Sequence, residues 1–221
     1  MNKVVFLSSG VLLLAVWLLT PALDRQLNSV EAAASSARTA EAITAAVEKI
    51  LGRLGANQKK KTLFAFNDEE RLNWHFIPRP RKGLPLSKMN PEQQRLVQEL
   101  LVASLGETGT RTVNDVRSLE SVLQAIEGPD RRFSRDPEHY YLSVFGSPGK
   151  KEQWGWRFEG HHLCVNFTLE GKKVLSSTPL FYGANPAIVK SGPKKGLRVL
   201  GKIEDLGREL MLNLDKSQLK T

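Results

Sequence analysis

The residues best suited to chemistry in this chain are a glutamate and two adjacent histidines. His161 and His162 are two of the four histidines in the sequence, and Glu159 lies two positions before the first of them. Residues two apart on a β-strand project from the same face, so we expect Glu159 and His161 to point in parallel. With a third ligand they would suit Fe(II), Zn(II) or Mn(II) and leave open positions for water or substrate. The spacing therefore predicts a divalent transition-metal site.

The strand that carries these residues is predicted over 154–168, where side chains alternate and both faces are bulky. A second β-rich run covers 138–145, and the glycine and proline residues between the two runs are typical of a hairpin loop. A third strand is predicted over 174–182, in which Pro179 fits an edge position better than a central one. A short β-like run is also predicted upstream, over 73–77. The main runs predict an antiparallel β-meander.

The third metal ligand depends on the register of the first hairpin. Folding the chain about Lys150 places His139 opposite His161. A slip of one residue would instead place His139 on the His162 face. His139 is the favoured third ligand, and His75 and His162 are further candidates. In the alternative interpretation the histidines are buried and hydrogen-bonded to a carboxylate or to the backbone, without any metal.

Arginine and tryptophan residues near the same strands are candidates for substrate binding. Arg157 and Arg79 could hold an anionic substrate, because a guanidinium forms paired hydrogen bonds with carboxylates and phosphates. Trp156 and Trp74 could form the floor of a pocket, although their apolar neighbours favour a place in the core. Two functions are compatible with these residues. One is a metal-dependent cell-envelope enzyme, hydrolytic or oxidative, and the other is a non-catalytic secreted binding module with a Trp-lined pocket for a small molecule.

Several other functional classes lack their motifs. The sequence contains no Gly-x-Ser-x-Gly, phosphate loop, dinucleotide fingerprint or Cys-x-x-Cys, so serine hydrolase, nucleotide and disulfide-exchange functions have no support. The single cysteine, Cys164, is expected to behave as a small buried hydrophobe. The net charge is +9, but the basic residues are scattered apart from clusters at 59–61, 79–82 and 194–195. No nucleic-acid motif accompanies them, so we expect a solvated basic surface and no nucleic-acid partner.

The N-terminus has the order of a secretory signal. Lys3 precedes the apolar run 4–19, which is short for a membrane-spanning helix. We expect cleavage after Ala22, with an uncleaved anchor as the alternative, and an exported protein that is periplasmic or extracellular. Membrane contact is expected only through this segment. Residues 23–61 are predicted to form an Ala- and Ser-rich spacer and a helix, and residues 62–221 a single domain.

Helices are predicted on both sides of the meander. Asn90-Pro91 is typical of a helix start and a leucine stripe follows it, and a second helix is predicted over 113–126. A closing helix is predicted over 202–219. The residues expected to face inward from this last helix are Leu206, Leu210 and Leu214. Helices before and after an antiparallel sheet indicate the α+β class, with flanking helices around the meander.

Several blocks of the sequence resemble the family known as domain of unknown function 3500. The similar stretches are 65–71, 73–79, 83–84, 139–141, 154–163 and 178–186. The stretch 154–163, which reads Trp-Gly-Trp-Arg-Phe-Glu-Gly-His-His-Leu, is specific to the family. The resemblance implies a family without an assigned reaction. It also implies that this chain corresponds to the first part of longer members of the family.

Export gives the first testable prediction. If the run 4–19 directs secretion, alkaline phosphatase fused after Asn67 will be active in a bacterial host, because that reporter needs disulfides that form outside the cytoplasm. A β-galactosidase fusion at the same position is the control, since that reporter works only in the cytoplasm. Activity of the β-galactosidase fusion alone would show that the segment does not direct export.

Overall fold

The computed structural model describes residues 34–130 and 132–220. The predicted signal peptide 1–22 and the start of the predicted spacer lie outside the described residues. Within the described ranges, no helix is both long and apolar enough to cross a membrane. The described chain contains four helices and one mixed, mostly antiparallel sheet, and this confirms the predicted α+β class.

Seven strands form the sheet in the described part of the chain. Their bounds are β1 Leu63–Phe64, β2 Leu84–Pro85, β3 Tyr141–Phe145, β4 Gln153–Gly160, β5 Leu163–Glu170, β6 Lys173–Ser176 and β7 Leu180–Tyr182. The order is β1-β3-β4-β5-β6, with β2 also paired to β3 and β7 to β5. Only the β1–β3 pair is parallel among these. The predicted third strand is therefore split into β6 and β7, which both pair with β5.

The predicted single strand over 154–168 is wrong, because the structure divides it into two. β4 ends at Gly160, and His161 and His162 form a two-residue turn into β5. His162 has a φ of 57°, in the left-handed region. At Gly160, a Cβ atom would lie 2.3 Å from the ring of Tyr140, so only glycine fits beside the turn. The turn left no sequence signal, since it lacks the usual Asn-Gly or Asp-Gly pair.

The hairpin of β3 and β4 has the predicted register. Tyr141 pairs with Glu159. Continued by two residues beyond the end of the pairing, the same register sets His139 opposite His161. The count of residues in the loop was therefore sufficient to bring these two histidines to the same end of the sheet.

The helix predicted to start at Asn90-Pro91 begins there, and the closing helix begins one residue before its predicted start. Their bounds are α1 34–53, α2 Ala56–Thr62, α3 Pro91–Glu127 and α4 Gly201–Asn213, with short 3-10 helices at Glu69–Leu72, Leu86–Lys88 and Gln218–Lys220. At the start of α3, Asn90 Oδ1 accepts a hydrogen bond from the Gln93 amide at 2.9 Å, as an N-cap does. Gly106 has a φ of 66° and interrupts α3. The two segments of α3 correspond to the two predicted helices.

One face of the sheet packs against α1 and α3 to form the hydrophobic core. The core side chains of the helices include Ile43, Val47, Ile50, Leu96, Leu100 and Val113, and those of the sheet include Leu142, Val144, Trp154, Trp156, Phe158 and Val165. Each of these is at most 1% exposed. Burial of a large apolar side chain contributes about 1.5–3 kcal/mol, so this layer is the main source of stability.

The other face of the sheet is covered by residues 65–82, here called the cover segment. The strand predicted within it, over 73–77, is wrong, because the backbone there is irregular. Arg81 Nη2 donates a hydrogen bond to the His75 carbonyl at 2.7 Å. The His75 amide donates to Glu159 Oε2 at 3.2 Å. Side chains thus satisfy backbone groups that a neighbouring strand would otherwise satisfy.

Four charged side chains fasten the cover segment to the sheet. Arg157 of β4 is fully buried, and its Nη2 lies 2.7 Å from Glu70 Oε1 while its Nη1 donates to the Glu70 carbonyl at 2.7 Å. Arg157 Nε lies 2.8 Å from Glu159 Oε1, and Arg81 Nε lies 3.5 Å from Glu159 Oε2. Opposite charges alternate along this buried charge network, which offsets part of the cost of removing each charge from water.

The closing helix differs from its prediction. α4 ends at Asn213, and Leu206 and Leu210 are 53% and 62% exposed, so their predicted inward orientation is wrong. Leu214, just after the helix, is half-buried. The periodic leucines indicate an apolar helix face correctly, but periodicity does not tell whether another element of the chain covers that face.

The buried charge network gives a stability prediction. Replacement of Arg157 by Met should lower the free energy of unfolding by about 3–5 kcal/mol, because Glu70 and Glu159 would stay buried without their shared partner. The control is Arg71→Met. Arg71 is in the cover segment, and its Nε donates a hydrogen bond to the Phe66 carbonyl of the same segment, but no buried carboxylate depends on it. Urea denaturation of both variants measures the difference. Equal losses would show that the network is not the main fastening.

Candidate functional site

A cavity of about 260 Å³ lies where the turn between β4 and β5 meets α3 and the cover segment. We call it the His161 pocket. Its polar lining includes Arg79, Glu120, Asp136, His139, Tyr141 and His161. These residues come from four separate parts of the chain, so the site exists only in the folded protein.

The closest polar contact in the His161 pocket joins an imidazole to a buried carboxylate. His161 Nδ1 lies 2.5 Å from Glu120 Oε1, and the side chains are 11% and 5% exposed. A carboxylate accepts hydrogen bonds, so Nδ1 carries the proton and donates it. Arg135 Nη1 lies 3.3 Å from the same His161 Nδ1 and 3.8 Å from Glu120 Oε2, and the shorter contact of Nδ1 is the one to Glu120. The remaining guanidinium nitrogens of Arg135 bind Glu127. The carboxylate thus fixes the orientation and the tautomer of the His161 ring.

The second nitrogen of the His161 ring, Nε2, is the one left available to a ligand. Nε2 makes no hydrogen bond to another described residue, and it is not fully buried, so a ligand can reach it. In the neutral ring it carries the lone pair, since the proton is on Nδ1. A histidine held in this way can accept a proton or bind a metal ion through Nε2.

His139 lines the same pocket, as its predicted position opposite His161 implies. Its Nε2 lies 3.3 Å from Asp136 Oδ2, and the side chain is 44% exposed. Two imidazoles, each beside a carboxylate, therefore face one cavity.

The predicted ligand Glu159 is in a different place. It is 1% exposed on the side of the sheet that the cover segment occupies, where it belongs to the buried charge network. Burial raises the pKa of Glu159, and the nearby charges of Arg157 and Arg81 act against that rise. Glu159 and His161 were expected to project in parallel, but the turn begins after Gly160 and breaks the alternation. His161 then binds Glu120 of α3 instead.

The remaining predicted metal ligands also lie outside the pocket lining. His75 Nε2 is 2.6 Å from Arg79 Nη1, and partial burial together with Arg79 and Arg81 lowers the pKa of His75. Of the five predicted ligands, only His139 and His161 line the pocket. Across residues 34–130 and 132–220, no three His, Cys, Asp or Glu side chains are grouped to hold one ion. The predicted metal site therefore stays a prediction.

His162 is packed beside His161 rather than in the pocket lining. The two ring centroids are 4.1 Å apart. His162 Nδ1 is buried without a hydrogen-bond partner in the described chain. Burial, followed by the neighbouring His161, lowers the pKa of His162 to about 4. The ring is therefore neutral near pH 7 and acts as a packing group.

The predicted substrate-binding residues divide between two cavities and the interior. Arg79 is exposed at the His161 pocket, whereas Arg157 is fully buried in the charge network and has no access to a substrate there. Trp74 and Trp156 line a second cavity of about 170 Å³, together with Arg71. Trp156 itself is 1% exposed and stacks on Phe167 at 5.2 Å. We call this the Trp74 cavity.

Cys164 is buried, as expected for a small hydrophobe. Burial raises the pKa of its thiol to about 12, although Asn166 Nδ2 donates a hydrogen bond to Sγ at 3.0 Å. The thiol is therefore protonated and unreactive near neutral pH.

One residue of this site is indicated by the helical pattern of the sequence. Glu120 lies on the predicted helix 113–126, four residues after Val116 and three before Leu123, which are both buried. A glutamate at that position is on the apolar face and needs a buried partner. No comparable sign exists for Arg135, which is in irregular chain between α3 and β3.

The low pKa of His162 predicts a pH effect on stability. Between pH 6.5 and about 4 the unfolded chain binds a proton at this residue and the folded chain does not, so the free energy of unfolding falls as pH is lowered through this window. His161, Glu120 and Arg135 are the charged or titratable groups acting on the ring. Urea denaturation at pH 7 and pH 4.5 should show a smaller loss for His162→Asn, because Asn tolerates a left-handed backbone. Identical losses in both proteins would contradict the assignment.

Comparison with known proteins gives one family match. No curated protein and no solved structure matches the chain. The family described as protein of unknown function (DUF3500) matches residues 36–221. This range covers most of the chain and includes every strand and all residues of the His161 pocket, which confirms the resemblance seen in the sequence blocks. The protein belongs to the DUF3500 family.

Proposed function

We propose that this protein is an exported enzyme that hydrolyses a small anionic substrate in the His161 pocket. One observation carries the proposal: Glu120 Oε1 lies 2.5 Å from His161 Nδ1, and both residues line the His161 pocket. A carboxylate-oriented histidine with a free second nitrogen is suited to general acid–base catalysis.

Proton transfer would take place at His161 Nε2. Glu120 holds the proton on Nδ1, so Nε2 is available to take a proton from a water molecule next to the substrate. The imidazolium that forms is stabilised by the negative charge of Glu120, which is only 5% exposed. Arg135, bound to Glu127, stands beside the same carboxylate and keeps it in position.

The substrate is proposed to be anionic because of Arg79. Its Nη1 donates to His75 Nε2 at 2.6 Å, and His75 is neutral near pH 7 because its pKa is lowered. Among the described residues no carboxylate lies within ion-pair distance of Arg79, so its charge is left for a ligand. The cavity is small for a ligand site, which favours a compact molecule.

A divalent metal such as Fe, Zn or Mn is a second route to the same reaction. Metal-binding histidines usually donate their other ring proton to a carboxylate, and His161 and Glu120 have this arrangement. His139 would supply a second imidazole from the same pocket. Such a metal would be held by His161 and His139 and would supply Lewis-acid activation of water, and Glu120 would orient the His161 ring.

A non-catalytic binding module remains the second candidate function, and it rests on the Trp74 cavity. Trp74 and Phe145 supply aromatic surface, and Arg71 and Asn166 supply polar groups. The volume of about 170 Å³ is smaller than that of the His161 pocket, and no carboxylate–histidine pair is present there. The enzymatic proposal is therefore preferred.

The enzymatic proposal predicts the effect of His161→Gln. Purified protein should release p-nitrophenol from p-nitrophenyl phosphate or from p-nitrophenyl succinate, and His161→Gln should lower kcat by about 100-fold or more, since the proton acceptor is lost. Arg79→Gln should chiefly raise KM. His162→Asn is the control, because His162 is in the same turn but does not line the pocket. Wild-type protein that hydrolyses neither ester, with or without added metal, would contradict the proposal.

Metal content of the same preparations, purified without a His tag, distinguishes the two routes. Stoichiometric Fe, Zn or Mn that is lost in both His161→Gln and His139→Gln supports the metal route. Active protein without metal supports His161 as the general base. Thermal unfolding of each variant shows whether the fold is kept.

A further inference from the structure

Two basic clusters that are distant in the sequence meet at one cavity. Lys60 and Lys61 are in the last turn of α2, and Arg81 and Lys82 end the cover segment. They line a cavity of about 370 Å³ with Phe64 and Tyr141 as aromatic walls. We call it the lysine cavity. The sequence places these clusters about twenty residues apart, and only the pairing of β1 and β2 with β3 brings them together.

The positive charge of this cavity is not balanced by the described chain. No Asp or Glu is among its lining residues. Lys60 and Lys61 have no ion pair within the described ranges, and the nearest carboxylate to Lys82 is Glu70, at 3.8 Å. Glu70 is already bound to Arg157 at 2.7 Å. Three exposed lysine side chains thus line one cavity without a close carboxylate of their own, so a bound anion would be attracted by all three.

The backbone that carries the lysines is held in place. Gly83 has a φ of 95°, and a Cβ atom there would lie 2.6 Å from Ser143 Oγ and 3.0 Å from the Leu142 carbonyl. Only glycine allows this close passage against β3, which sets Lys82 at the rim of the cavity. The preceding Arg81 side chain is fixed by hydrogen bonds to backbone carbonyls. The backbone beside Lys82 and the guanidinium of Arg81 are therefore in place before any ligand arrives.

We propose that the lysine cavity binds a phosphate group. A phosphomonoester carries up to two negative charges, and pyrophosphate carries more. Both also have several acceptor oxygens, which suits a cavity lined by three lysines. A single carboxylate supplies only one charge. The phosphate could belong to a soluble phosphomonoester or pyrophosphate, or to the phosphomonoester headgroup of phosphatidic acid, and both present more than one charge. The rings of Phe64 and Tyr141 offer apolar surface to the rest of the ligand.

The phosphate site does not depend on hydrolysis in the His161 pocket. Arg81 and Tyr141 line both cavities, so a ligand in the lysine cavity lies next to the proposed catalytic residues. A structural explanation of the lysines alone is weaker. Lysines at a helix C-terminus do interact favourably with the helix dipole, which would explain Lys60 and Lys61. Lys82 is not part of α2, so the helix dipole does not explain why it lines the same cavity.

The test is a calorimetric titration with inorganic pyrophosphate at low ionic strength. Wild-type protein should bind one equivalent, and Lys61→Gln/Lys82→Gln should weaken binding about tenfold, since each exposed charge pair contributes modestly. The matched control is Lys190→Gln/Lys195→Gln, which removes the same charge from exposed lysines that line none of the three cavities described above. The control should bind within about twofold of wild type. Lys60→Gln alone replaces the double variant if the latter fails to fold.

A vesicle arm identifies the source of the phosphate. Sedimentation of wild-type protein with phosphatidic acid vesicles, but not with phosphatidylcholine vesicles, assigns a lipid headgroup when Lys61→Gln/Lys82→Gln abolishes it and the control does not. Pyrophosphate binding without sedimentation assigns a soluble phosphate compound. Two results would overturn the proposal: wild-type protein that binds neither probe, or equal losses in both double variants, which would indicate diffuse surface charge. His161→Gln should leave pyrophosphate binding unchanged, so failure of the catalytic proposal is seen separately.

Discussion

The structure depends on the buried charge network that joins the cover segment to β4. Arg157 lies between Glu70 and Glu159, and it is the only member of this set that contacts both carboxylates in the described chain. A network of this kind contributes little net stability compared with apolar packing, but it is costly to break and permits few alternative arrangements. It therefore determines where an irregular stretch of eighteen residues, which has no strand partner of its own, is placed on the sheet.

This placement has direct consequences for both cavities. The end of the cover segment supplies Arg79 and Arg81 to the His161 pocket, and Arg81 and Lys82 to the lysine cavity. Arg81 also belongs to the network through Glu159. One set of interactions thus fixes the distance between the proposed catalytic histidine and the proposed phosphate site. A change that loosens the network would be expected to affect both sites together, although none of its central residues needs to contact a ligand.

Local signals in the sequence predicted much of the fold and less of the site. The Asn90 cap, the α3 segments and the β3–β4 register follow from neighbouring residues or from counting, and the structure confirms them. The errors have physical causes. A two-residue turn without glycine does not interrupt the alternation of Trp154 to Thr168. The backbone of His75 in the cover segment is satisfied by the side chains of Arg81, six residues further on, and of Glu159, which is eighty-four residues away. The partner of His161 comes from a helix forty-one residues away, and no strand pattern could reveal it.

The two histidines in the turn between β4 and β5 are subject to different structural constraints. His161 is constrained by its side chain, which must reach Glu120, whereas His162 is constrained by its backbone, with a φ of 57°. Any replacement at the first position changes the chemistry, while the second position is open to residues that accept a left-handed conformation, above all Gly and Asn. Over evolutionary time the two histidines should therefore diverge independently. The adjacent pair, conspicuous as a unit in the sequence, would then result from the chance spacing of a proposed catalytic residue and a turn residue.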